Sequence, residues 1–264
     1  MVLPLFIKFW ETEHIDWSED EQKKIIENIK KLGLLAEINP IIEDVDAICI
    51  LGSVMNDMKI RVKHATKLLN KNILSSKYIL LLAGERIVTP EIDGIKKDLQ
   101  NIAKKYNIEL SKLTETHLLE NIYENSAIHY QLPAFTINTL AGELPRPTTE
   151  TTLFELAKWL QNNKDVKRIA FISDQPLVNY QTSIIRQVLK STSPNIEFQV
   201  VGPAGSSKIK ASSALAALGS YIWAQTPEVL CHLGYKITNR ELKAKVIKLY
   251  QENKLIFSNL KHLL

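Results

Sequence analysis

Short unbroken apolar runs alternate along this chain with longer stretches in which apolar residues recur at helical spacing. The runs fall at 46–52, 78–84, 134–138 and 168–173, and 196–201 alternates apolar with polar residues as a fifth strand. The runs 46–52 and 78–84, continuous and ending at Gly, predict strands covered on both faces. Between them, 20–34 places Ile25, Ile26, Ile29 and Leu32 among charges, with Gly33 near its end, and predicts an amphipathic helix. Further helices are predicted over 58–70, 95–106, 114–129 and 180–190. Another opens after the Pro-rich 144–149, with Leu153, Phe154, Leu156, Ala157 and Leu160 on its apolar side. The segments 208–223 and 240–253 also read as helical. Strands alternating with helices predict βαβ units and a mostly parallel, Rossmann-like α/β sheet of about five strands. We expect a helical N-terminal extension over 1–45, the α/β core over 46–206 and C-terminal helices over 207–264.

Composition narrows the function classes. The chain has 264 residues, 45% hydrophobic and 23% charged, as in an ordinary globular protein. Its net charge of +4, from 33 Lys and Arg against 29 Asp and Glu, is small and scattered over helix faces, which argues against nucleic acid. The N-terminus turns acidic at Glu11, Glu13 and Asp16 and lacks the features of a secretory signal. No apolar run reaches the roughly 18 residues of a spanning helix. A cytoplasmic protein without a membrane span is expected. Cys49 and Cys231 stand far from each other and from any metal-type spacing, and Cys49 reads as a small buried hydrophobe.

Ligands of open parallel sheets bind beyond the carboxyl ends of the strands. That rule selects Gly52 and Ser53 after the first strand, Gly84 and Glu85 after the second, Ser173, Asp174 and Gln175 after the fourth, and Gly202 after the fifth. The stretch 173–181 concentrates hydrogen-bonding side chains at one strand-to-helix turn. There Asp174 is a candidate base and, equally, a candidate helix cap. Arg61 and Arg146 are candidates for bidentate anion binding or for structural ion pairs. No Gly-x-Gly-x-x-Gly, P-loop or Gly-x-Ser-x-Gly motif occurs, and the six His show no metal-type pairing, so no metal site is expected.

The order of these features resembles the SanA/YdcF-like bacterial α/β family over roughly 46–202. The run 46–52 is similar to that family's first strand, which ends in Leu-Gly. Arg61, Ala65 and Leu68 match its Arg-x3-Ala-x2-Leu helix, and 79–84 resembles its second strand. Glu115 fits the acidic residue that opens the next helix. Thr148 and Glu150 fit the centre of an Asn-Thr-x-Glu-Asn motif whose flanking Asn are here Pro147 and Thr151. Ser173 matches a fourth-strand Ser, but the His and Arg that follow it in the family are absent. The resemblance implies a pocket lined by Gly52, Arg61, Gly84, Glu115, Thr148, Glu150 and Ser173, with S-adenosylmethionine as a candidate cofactor. Two functions are then expected to compete. One is binding of a small nucleotide-like or phosphorylated ligand, with Glu85, Glu115, Glu150 or Asp174 handling protons. The other is a non-catalytic interaction protein that has lost the family's chemistry.

Overall fold

The structure, a computed structural model, describes residues 17–129, 131–140, 146–206 and 209–236, without the side chains of 223 and 225–236. In chain order its elements are α1 (Glu19–Lys31), β1 (Ala47–Leu51), α2 (Met55–Asn70), β2 (Tyr78–Gly84), α3 (Pro90–Asp93), α4 (Lys96–Lys105), α5 (Glu115–Glu124), β3 (Ala134–Thr139), α6 (Thr149–Asn162), β4 (Arg168–Ile172), α7 (Val178–Thr192), β5 (Glu197–Val201) and α8 (Ala211–Lys236). The chain divides into two compact units, 35–206 and the combination of 1–34 with 207–264.

In the larger unit, the five strands form one all-parallel sheet in the order β3-β2-β1-β4-β5. This is the expected Rossmann-like α/β architecture. Every residue of β1 is buried, because it lies mid-sheet under helices on both faces. Ile48 and Ile50 point into one apolar cluster with Met58, Val62 and Leu68 of α2 and Leu118 and Leu119 of α5. Cys49 and Leu51 point into the other, with Leu153, Leu156 and Leu160 of α6 and Ile185 and Val188 of α7. β3 is an edge strand, and only Ile137 and Thr139 of its six residues are buried. Segment 35–42 runs beside the end of β5. Ile38 exchanges main-chain hydrogen bonds with Gly202, and the Gln199 amide brackets the main chain of Ile41 and Ile42. That pairing brings residues assigned by the sequence to the N-terminal extension into the unit that holds the sheet.

In the smaller unit, α1 and α8 pack on each other. A reciprocal Ser18–Glu21 capping box starts α1, and Ile25 and Ile29 are its buried residues. α8 runs on to Lys236 rather than ending near 223. The expected helix over 240–253 and the Cys231 side chain lie outside the described residues.

Candidate functional site

Strand order reverses between β1 and β4. From β1 the chain proceeds outward through β2 to β3, then returns by α6 to the other side of β1. The crevice beyond the carboxyl ends of β1 and β4 is therefore the place where an open α/β sheet accepts a ligand. Two arginines organise it.

Arg61 lies two turns into α2, and its side chain is fully buried. Its Nε donates to Asp174 Oδ1 at 2.6 Å, and Nη1 donates to the carbonyls of Leu51 at 2.9 Å and Gly52 at 2.6 Å. Nη2 stands 2.6 Å from the same Asp174 oxygen, as an ion-pair contact without hydrogen-bond alignment. The pair ties the end of β1 to the end of β4. Asp57, one helical turn before Arg61, accepts from Ser53 Oγ at 2.8 Å. Burial, then the Asp174 charge, pushes the Asp57 carboxyl above its ordinary range, against the pull of Arg61 and Ser53.

Arg86 follows β2. Its two Nη atoms bind both oxygens of Asp93 at 2.8 Å each, its Nε donates to Glu115 Oε2 at 3.0 Å, and Nη2 also reaches the Ser53 carbonyl at 3.2 Å. Burial alone would lower the Arg86 pKa, but Asp93 and Glu115 together hold it above its ordinary value. Glu115 opens α5, and its other carboxylate oxygen rests against Gly52, in the space a Cβ would take. The main chain of Leu82 and Ala83 lies 3.0 Å from that same position, so only glycine fits there. Burial raises the Glu115 pKa, while Arg86 and then Arg61 oppose the rise.

The consequence for the β1–α2 turn follows from peptide geometry. Arg61 holds the Gly52 carbonyl and Arg86 holds the Ser53 carbonyl. In a trans peptide the next N–H points the opposite way. The N–H groups of Ser53 and Val54 therefore face away from the guanidiniums, and neither has an acceptor among the described residues. α2 starts there with no side-chain cap. Its unpaired amides and dipole favour a negative group.

The remaining candidates are spread around this centre. A Cβ on Gly84 would meet Pro147 Cβ at 2.5 Å, so the α6 entry lies directly over the end of β2. Thr148 caps α6 in a reciprocal pair with Thr151. Glu150 is exposed in the first turn of α6, near the Tyr180 phenol of α7. Burial and then Glu150 raise the Tyr180 pKa, against Arg146 and Thr149. Arg146 is exposed beside Arg86, Glu115 and Tyr180; desolvation and then Arg86 lower its pKa. Glu85 is exposed near the β3 edge and accepts from Asn138 at 2.9 Å. Ser173 is buried and donates to Gln181 within α7. Gln175 donates to the Ala36 carbonyl at 2.6 Å, while its buried Oε1 has no partner among the described residues. Gly202 packs against Val178 and the Ser173 carbonyl. The structure thus brings Gly52, Ser53, Arg61, Glu115, Asp174 and Arg146 to one centre. Glu85, Gln175 and Gly202 lie toward the ends of the sheet, and Gly84, Thr148 and Glu150 line the side covered by α6.

Three residues of the centre, Arg86, Asp57 and Asp93, were not singled out from the sequence as site residues, although Arg86 directly follows the strand-end pair Gly84 and Glu85. Asp57 carried a readable signal, since it precedes Arg61 by one turn on the same helix face. Asp93 carried none, because its pairing with Arg86 depends on a four-residue helix inside a polar loop. Among the described residues, no group of three or more His, Cys, Asp or Glu is placed to hold a metal. None of the described helices is long and apolar enough to cross a membrane. Two shallow surface grooves, of about 550 and 390 Å³, lie along α4 and between α2 and α5, and none of their lining residues belongs to the crevice. Buried ion pairs and carboxyls with raised pKa converge at the strand ends instead. No protein-family profile matches the chain, and no curated protein matches it.

Proposed function

We propose that the chain is a cytoplasmic, divergent SanA/YdcF-like protein that binds a small phosphorylated or nucleotide-like ligand in the β1/β4 crevice. One observation carries this reading: Arg61 and Arg86 hold successive carbonyls of the β1–α2 turn inward, leaving the Ser53 and Val54 N–H groups without acceptors among the described residues at a helix N-terminus. These amides would meet the phosphate, with Arg146 at the mouth. Arg61 acts through the turn rather than by touching the ligand, since its side chain is enclosed. If a reaction follows binding, Glu115 and Asp57 are the groups to exchange protons. Both are carboxyls that burial moves toward neutral pH, as general acid–base chemistry requires.

The test is thermal unfolding against inorganic phosphate, nucleotides, sugar phosphates and S-adenosylmethionine. A ligand at 100 times its Kd adds about 2.7 kcal/mol of stability. Val54→Pro sharpens the result. Val54 has φ −69°, which proline adopts without strain, so this change deletes one amide N–H and leaves the turn's shape. Stabilisation by a phosphorylated compound that Val54→Pro abolishes supports the reading. A flat response across the panel removes it. The alternative, a non-catalytic interaction protein, then gains from the exposed isoleucines 87, 92 and 95 beside the crevice.

A further inference from the structure

The segment joining β2 to α4 poses a packing problem. Helix α3 has only four residues, and the isoleucines around it are turned outward: Ile87 is 49%, Ile92 54% and Ile95 71% exposed. Val88 is buried in the core, but the three isoleucines that flank and form α3 add no apolar anchor. Its last residue, Asp93, is 2% exposed and accepts hydrogen bonds from four donors. Arg86 Nη1 and Nη2 bind it at 2.8 Å, the Thr89 N–H at 3.1 Å and the Met55 N–H at 3.3 Å. Met55 is the first residue of α2, so Asp93 grips the β1–α2 turn directly from its helical end. Through Arg86 it grips the same turn a second time, at the Ser53 carbonyl.

From this geometry we infer that Asp93 is the positioning residue of the site. It holds the β1–α2 turn from both ends and aims Arg86 so that one guanidinium reaches Ser53 and Glu115 together. A carboxylate suits the role because its two oxygens match the guanidinium fork and still accept two amides. A neutral amide of the same shape offers only one accepting oxygen. The inference rests on the anion-binding reading for its functional meaning, but its structural content stands apart from it.

The experiment compares wild type, Asp93→Asn and Arg86→Lys by amide hydrogen exchange and by phosphate binding, using inorganic phosphate as probe. In both variants, exchange at the Met55 and Thr89 amides, which Asp93 accepts, should quicken about tenfold or more, the loss expected for one charge-assisted hydrogen bond. Amides in β1 and β4 should keep their protection, which a general loss of stability would not allow. Phosphate affinity should fall by a similar factor at unchanged global stability. Arg86→Lys keeps the charge but lacks the planar fork that pairs both Asp93 oxygens while reaching Glu115 and Ser53, and it serves if Asp93→Asn does not fold. Unchanged exchange at Met55 and Thr89 in a folded variant, or faster exchange spread evenly over the sheet, overturns the role of Asp93. Absence of phosphate binding in wild type with the selective change in exchange intact counts against the ligand reading alone.

Discussion

At the residue scale, His64 has the clearest consequence. It lies on α2, 3% exposed, and its Nε2 has no hydrogen-bond partner among the described residues. Burial lowers its pKa from 6.5 to about 4, a drop that Glu37 opposes and Lys67 assists. The folded state thus takes up a proton less readily than the unfolded chain. The stability this represents is fully present above pH 6.5 and is lost as pH falls from 6.5 toward 4. At pH 5 the loss should be about 2 kcal/mol by linkage. Urea unfolding of wild type and His64→Leu at pH 8 and pH 5 measures it. Wild type should lose about that much more than the variant on acidification, and equal losses would show that the proton goes elsewhere. Asp46 behaves in the opposite sense. Burial opposes its ionisation, but the Lys77 ammonium and the amides of Lys167 and Arg168 hold its pKa at about 2. Its contribution lasts until much lower pH, so it does not blur the His64 measurement.

At the element scale, the entry to α6 is held by one reciprocal side-chain cap. Thr148 accepts from the Thr151 N–H, and Thr151 Oγ1 accepts from the Thr148 N–H. Thr148→Ala should cost about 1 kcal/mol, and Thr148→Ser should recover most of it, as read from denaturant midpoints. Pro147 sits over Gly84, so the cap also sets how that segment covers the end of β2. Local pattern was informative at this scale. All five strands were legible, the central three because strands covered on both faces demand continuous apolar runs and β5 from its alternation, and most helices were legible from their period. Two elements were not. α3 buries almost nothing apolar and owes its place to Asp93, so no hydrophobic period announces it. The extension of α8 to Lys236 passed the point where the apolar pattern weakens at Gln225 and Thr226.

At the scale of the whole molecule, the central strand bears the most consequence. Ile50 is fully buried among residues of the sheet and α2, whereas Ile41 is 91% exposed. Ile50→Ala should cost about 2–5 kcal/mol and lower Tm by several degrees or more, while Ile41→Ala should stay within about 0.5 kcal/mol. Similar losses at both positions would mean that the sheet is not closed on its α2 face. The sequence by itself determined the strands and the list of polar strand ends, because those depend on short-range apolar patterning. It offered Arg61 and Asp174 as separate candidates with open roles. Only the tertiary structure decided that they neutralise each other across 113 residues, that Arg86 belongs to Asp93 and Glu115, and that Asp57 joins them. Strand order makes those decisions. It brings the ends of β1 and β4 together, and burial there forces each charge to find its partner at whatever sequence distance the fold supplies.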